Sequence, residues 1–375
     1  MPSGERFCLR SGETRDAGFR TPGRRGRRYG TVTGMRGTLR VVGLASQLVA
    51  AAALTPQSER VDPERLLGDR FLFSQAELAQ ARGGHPVAKM IASTDRNELA
   101  IGGAIRIEGD KNILAEWIRN IAQFRGSAEL GLTRVVSSPP SVASFADLTL
   151  DATDVAALQK CTSKRCDLRL STEAINDFNT KVQWGTPNAA TQASTLAREM
   201  LVGYAKAYLH GGDTALGNGF GELLQGATNL YQLAPAFAHY LQRFPAATLT
   251  GVEERLYWST MPAGKASIIS LHHLVIHRGA AGDIMIADKT IYASRYFDVG
   301  ALVISLHDAA DGRGYYLVAG SRVKSSQLTG VGGSLLRGQI QRSALDTVRM
   351  YLGWLRDSLA LPRQHDLPAA PRAAQ

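Results

Sequence analysis

Cysteine is scarce in this chain. There are three in 375 residues, at positions 8, 161 and 166, which excludes a small scaffold stapled by several disulfides. Long apolar runs are missing too. The most continuous, Val41 to Leu54, is 14 residues, short of the ~20 that span a bilayer. No G-x-S-x-G elbow, H-E-x-x-H helix or phosphate loop occurs, so the chemistry carried by those signatures is not indicated. The glycine-rich stretch HGGDTALGNGFG at 210–221 lacks the Lys-Ser/Thr of a phosphate loop and reads as an inter-helix loop. Internal repeats are absent.

Acidic residues are almost missing from the first forty positions. Ten arginines there face only Glu5, Glu13 and Asp16, so this stretch carries +7 of the net charge of +10. The remainder is ordinary for a domain of this size, and nucleic-acid binding is not expected.

What is present begins with a leader. Arg36 and Arg40 precede the apolar 41–54 stretch, and Ala51 and Ala53 supply small residues for cleavage. This layout predicts a secretory signal peptide at 35–54, with 1–34 a disordered lead or misread start. The mature chain is then an exported protein of the periplasm or cell envelope.

Cys161 and Cys166 have four residues between them. An oxidising compartment makes a disulfide closing a short loop the leading expectation. Free thiols are a second reading, because Lys160, Lys164 and Arg165 would favour a thiolate. A metal pair is a third, but a structural zinc needs four ligands and no second Cys/His pair lies nearby.

Hydrophobic periodicity then sets the elements. A helical region is predicted at 61–81, ended by Gly83-Gly84. Two strands follow at 87–93 and 98–109, with a bulge or sharp bend expected at Gly102-Gly103. Asp110 caps a helix running to Phe124, and a strand lies within 130–136. Thr186-Pro187 predicts a helix start, and Gly211-Gly212 its end. A further helical stretch, 219–244, is interrupted near Pro235. Glu253 to Lys324 holds four or five apolar runs separated by Gly, Asp and Pro, the pattern of consecutive antiparallel strands. An amphipathic helix closes the domain at 334–359, and 361–375 is a Pro/Ala-rich tail. The fold class is therefore α+β.

This order, with YASRYFDVGALVISL (292–306) and GYYLVAGSRVKS (314–325) as late strands of one sheet, resembles the START-like, helix-grip superfamily and similar exported bacterial proteins. The resemblance covers about 60–360, with 125–187 as an insert. It implies a curved antiparallel sheet wrapped around the C-terminal helix and a cavity for a lipid or other hydrophobic molecule. It transfers no individual residue role.

The candidate ligand-binding residues are His272, Arg295, Arg322, Tyr292, Tyr316 and Trp258. His272 would be a polar group in an apolar cavity, with a plain core histidine as the bland alternative. Arg295 and Arg322 would orient a head group or form structural ion pairs, with Asp298 as the partner in view. His273 and His277 share a strand face about 13 Å apart, too far for one metal. Neither metal nor cofactor is expected. The favoured function is a monomeric, non-catalytic carrier or sensor that touches membranes transiently. An enzyme using His272 as general base is the rival, and an envelope scaffold with a filled core the third reading.

Overall fold

A computed structural model describes residues 62–126, 131–217, 220, 223, 234–264, 266–329 and 333–360. The expected lead, signal segment and tail lie outside the described residues, as does most of 218–233.

The centre of the fold is one antiparallel sheet of eight strands. They are β1 Val87–Ile91, β2 Glu98–Ile107, β3 Thr133–Val135, β4 Val252–Ala263, β5 Ala266–Arg278, β6 Ile284–Ala293, β7 Val299–Asp308 and β8 Tyr315–Lys324. Their order across the sheet is β1-β2-β8-β7-β6-β5-β4-β3. The run from 252 to 324 is thus a five-strand meander, and the early β1–β2 hairpin joins it along β8. The turn into β8 depends on Gly314, at φ 76°, where a Cβ would stand 2.1 Å from the Ile107 carbonyl oxygen.

Helices cover both faces. The helical region expected at 61–81 consists of two helices, α1 (Pro63–Phe71) and α2 (Gln75–Arg82). Leu72 adopts left-handed backbone and ends α1, while Ser74 starts α2 with a reciprocal Glu77 capping box. α3 (Lys111–Arg119) and the one-turn α4 (Ile121–Phe124) follow, with Asp110 as the N-cap of α3. α5 (Ala152–Lys160) and α6 (Thr172–Lys181) lie in the segment expected as an insert; α5 touches α7 (Ala189–Leu216) and β5, and α6 packs on α7. α7 begins two residues beyond Pro187 and runs past Gly211-Gly212, with a kink at Gly212 instead of the expected stop. α8 (Pro235–Arg243) and the long α9 (Gly333–Ala360) complete the set.

Strand alternation sorts the core into faces. On the first face Leu114 and Ile118 of α3 and Leu352 and Leu355 of α9 meet Ile105, Leu274, Ile286 and Leu317. Each such buried side chain contributes about 1.5–3 kcal/mol. On the second face α5 to α8 pack Phe178, Leu201 and Phe237 over Trp258, Leu271 and Val275. There α1 and α2 cover β1, β2 and β8 with Leu66, Phe71 and Leu78.

Gly102 and Gly103 do not make the expected bulge, because β2 pairs with β1 and β8 in unbroken register through both. They are thin spots. A Cβ on Gly102 would lie 2.4 Å from the Phe71 ring, and one on Gly103 would lie 2.8 Å from Val348. α9 therefore settles directly onto β2, with contacts to β1. The register shift in this sheet falls instead between β5 and β6, where Ile291 is the extra residue. No described helix is long and apolar enough to cross a membrane.

Candidate functional site

His272 lies on the first face, between Ser270 and Leu274 on β5. Its ring stacks on Tyr257 of β4, with centroids 4.5 Å apart and planes at 4°. Tyr257 is its cross-strand partner. Asp288 on β6 sits diagonally opposite, because the shift at Ile291 pairs His272 with Thr290 and Leu274 with Asp288. A continuous polar chain results. Ser270 Oγ is 2.8 Å from His272 Nε2, and His272 Nδ1 is 3.1 Å from Asp288 Oδ1. Tyr257 donates its hydroxyl to Asp288 Oδ2 at 2.6 Å. Ser259 on β4 adds its hydroxyl 3.1 Å from Ser270 Oγ.

This chain has a direction. When the ring is neutral and gives Nδ1–H to Asp288, Nε2 is the acceptor for the Ser270 hydroxyl. Burial pushes the Asp288 carboxyl up, but His272, Arg125 and the Tyr257 hydroxyl outweigh it, and its pKa falls below the ordinary range. The carboxylate therefore stays ionised at neutral pH. Burial and the neighbouring Asp288 hold the Tyr257 phenol far above its ordinary value, so it remains a donor. Arg125, just beyond α4, places its guanidinium carbon 6.0 Å from the Tyr257 ring centroid, and its Nε is buried without a hydrogen bond.

Beside this cluster the first face opens. Asp288 pairs in register with Leu302 of β7, which pairs with Ser321 of β8. Leu302 is 36% exposed, and Ile304, Ser321 and Val323 are half-buried. Met261 on β4 and Ile340 on α9 are also exposed apolar groups, at 36% and 39%. Ile340 lies on the α9 stripe that continues to Ala344, Val348 and Leu352. The first face thus leaves apolar side chains of β4, β7 and α9 exposed, with Leu302 in register beside the polar cluster.

The second face carries a different buried network. His273 Nδ1 is 2.7 Å from the Tyr208 hydroxyl, and Nε2 is 3.2 Å from Glu254, which also accepts from Tyr240. Lys289 is fully buried, 2.8 Å from Asp213, with its ammonium 3.7 Å from the Phe220 ring centroid. Burial pulls the lysine down to about 8 against the attraction of Asp213. His273 is likewise held below its ordinary value, first by burial and with help from Lys289.

The other candidate residues are not brought to His272. Arg295 forms a buried pair with Asp154 at 2.5 Å. Arg322 pairs with Glu98 at 2.5 Å, on the α1 side of the sheet. Neither takes Asp298, which binds Arg169 and the Ser326 amide. Trp258 is buried on the second face and donates to the Ser144 carbonyl at 2.7 Å. Tyr292 packs against Tyr204 of α7, 4.9 Å between centroids. Tyr316 reaches Glu64 of α1 at 2.6 Å. Alternation separates Trp258 and Tyr316 from His272, and the Ile291 shift adds Tyr292 to the second face.

Cys161 and Cys166 are joined as a disulfide. Among the described residues no three His, Cys, Asp or Glu side chains are placed to hold one metal ion. Recesses of about 420 Å³ beside the disulfide loop and 850 Å³ beside Glu64 and Arg106 do not include His272 in their lining. Arg169 in the first and Arg106 in the second are already paired, with Asp298 and Asp311.

Asp288, Ser270, Ser259 and Arg125 are the site residues that sequence reasoning missed. A signal for Asp288 was present. In IMIADKT both alternating sets are apolar, so a charge on either is buried. No protein-family model matches the chain, and no curated protein matches it significantly.

Proposed function

We propose that this protein binds a lipid or other hydrophobic small molecule in a trough between β7–β8 and α9, in the manner of a helix-grip protein. The observation that carries this reading is the adjacency of Leu302 and Asp288. An exposed leucine stands in register beside a buried, hydrogen-bonded polar cluster on the same face. Apolar area along β7, Met261 and Ile340 would gain about 25 cal/mol per Å² on being covered. The cluster would supply orientation. Arg125 and the Asp288 carboxylate offset one another, so the matching head group is uncharged and hydrogen-bonding, such as an ester or alcohol. Export through the 35–54 segment would place this carrier in the envelope.

Titration with an environment-sensitive apolar fluorophore, followed by displacement with neutral lipids, tests the reading. Saturable binding that L302D weakens about tenfold or more supports it. Saturable binding untouched by L302D, or no binding, overturns it.

A further inference from the structure

We infer that the polar cluster is also a catalytic relay, and that the protein hydrolyses esters of hydrophobic acyl chains with Ser270 as nucleophile. The inference rests on the proposed trough as the acyl-binding surface. Three functional groups stand in the order that such chemistry requires. The Ser270 hydroxyl meets Nε2 of His272 at 2.8 Å, and Nδ1 meets Asp288 at 3.1 Å. Tyr257 holds the second Asp288 oxygen, so the carboxylate is fixed from both sides. His272 is further held flat on the Tyr257 ring. These are the contacts of a positioned base, with the imidazole nitrogen facing the hydroxyl set as an acceptor.

The position along the sheet supplies the approach. Ser259 and Ser270 are cross-strand partners, and the next first-face pair outward is Met261 with Ile268. Met261 is 36% exposed, while Ser270 and Ser259 behind it are buried at 7% and 1%, so an ester must enter past Met261 to meet the hydroxyl. An acyl chain in the trough would bring its carbonyl to Ser270. In the first step Ser270 Oγ bonds to the ester carbonyl carbon and passes its proton to His272 Nε2. The tetrahedral oxyanion lies within reach of the Ser259 hydroxyl, 3.1 Å from Ser270 Oγ. Collapse breaks the ester C–O bond, and the alcohol leaves with the proton from Nε2. Water then adds to the acyl-serine, giving its proton to Nε2. Release of the carboxylic acid returns that proton to Ser270.

Full-length protein treated with a long-chain alkyl fluorophosphonate tests this, with peptide mapping of the adduct and release of nitrophenol from long-chain nitrophenyl esters. The expected result is one phosphonyl group on Ser270 and ester hydrolysis that S270A lowers at least about a thousandfold. D288N tests the positioning role through the pH–rate profile, which is expected to lose its wild-type shape while the labelled residue stays the same. Apolar-fluorophore binding is measured on the same samples. Binding without an adduct or hydrolysis overturns the relay and leaves the carrier reading standing. Absence of binding, adduct and hydrolysis overturns both. An adduct elsewhere than Ser270, or hydrolysis surviving in S270A, also overturns the relay.

Discussion

The two faces of β5 and β6 use the same dipeptide steps for opposite ends. His272 and Asp288 point to the first face, His273 and Lys289 to the second. On the first face the carboxylate stands in register beside the exposed Leu302. On the second, the histidine and ammonium are buried under α7 and α8, with Asp213, Tyr208, Tyr240 and the solvent-exposed Glu254 as partners. Buried charge alone does not distinguish a site from a scaffold. What separates the two networks is what each histidine holds: a serine hydroxyl and a part-buried carboxylate on the first face, a tyrosine hydroxyl and an exposed carboxylate on the second.

The contrast can be broken most severely at Lys289. K289M keeps the volume but leaves Asp213 without its ammonium, and is expected to cost about 3–5 kcal/mol in denaturant unfolding. Replacing Asp213 as well, in K289M/D213L, is expected to recover much of that loss. Fluorophore binding by the folded fraction should stay unchanged, whereas H272A should alter it.

Acid and alkali titrations of stability separate the faces next. Lys289, lowered from 10.5 to about 8 when folded, sheds its proton earlier in the native state than in the unfolded one. The unfolded chain then binds more protons between these values, so stability is expected to rise across that window, by about 2–3 kcal/mol. His273 has the same sign, because its lowered pKa makes stability fall as pH drops below its ordinary 6.5. Asp288 acts further down. Its carboxyl is depressed below 3.8, so its contribution is present above that pH and disappears only as the solution becomes more acidic. H273F is expected to flatten the loss below 6.5, and D288N the more acidic one. Unfolding midpoints measured across pH check both.

Smaller changes test the packing around the trough. G102A and G103A are each expected to destabilise by about 1–3 kcal/mol, because Phe71 and Val348 fill the space a methyl would need. L302S lies at an exposed position and is expected to shift stability by no more than about 0.5 kcal/mol, while weakening fluorophore binding. Thermal unfolding and titration of the same samples would show whether the two quantities separate.

The strands of the meander and the closing helix were legible because the apolar runs had the lengths of their elements and most were followed by glycine, aspartate or proline. The placing of β2 beside β8 was not, since pairing partners so distant leave no local trace. Gly102-Gly103 shows why a glycine pair is ambiguous from sequence. It permits a bulge or a close approach, and here two elements press in from opposite sides. The shift at Ile291 was unreadable for the converse reason, as nothing in TIYAS marks an extra residue. Without it, Tyr292 would be placed on the wrong face. His272 could be singled out from the histidine cluster, but its partner could not be named. Asp298 is nearer the arginines in sequence than Asp288, yet it is Asp288 that meets the histidine.

The pairing of β2 with β8 also imposes a schedule on synthesis. β2 spans Glu98–Ile107 and its inner neighbour β8 spans Tyr315–Lys324. At about 5–20 residues per second, the roughly two hundred intervening residues take some ten to forty seconds to emerge. For that time the edge of β2 that β8 will pair with is bare, the hairpin has no sheet to join, and α9, which covers its first face, is made later still. A nascent chain of this protein is therefore expected to need a holding chaperone at its first hairpin, long before any of the trough exists.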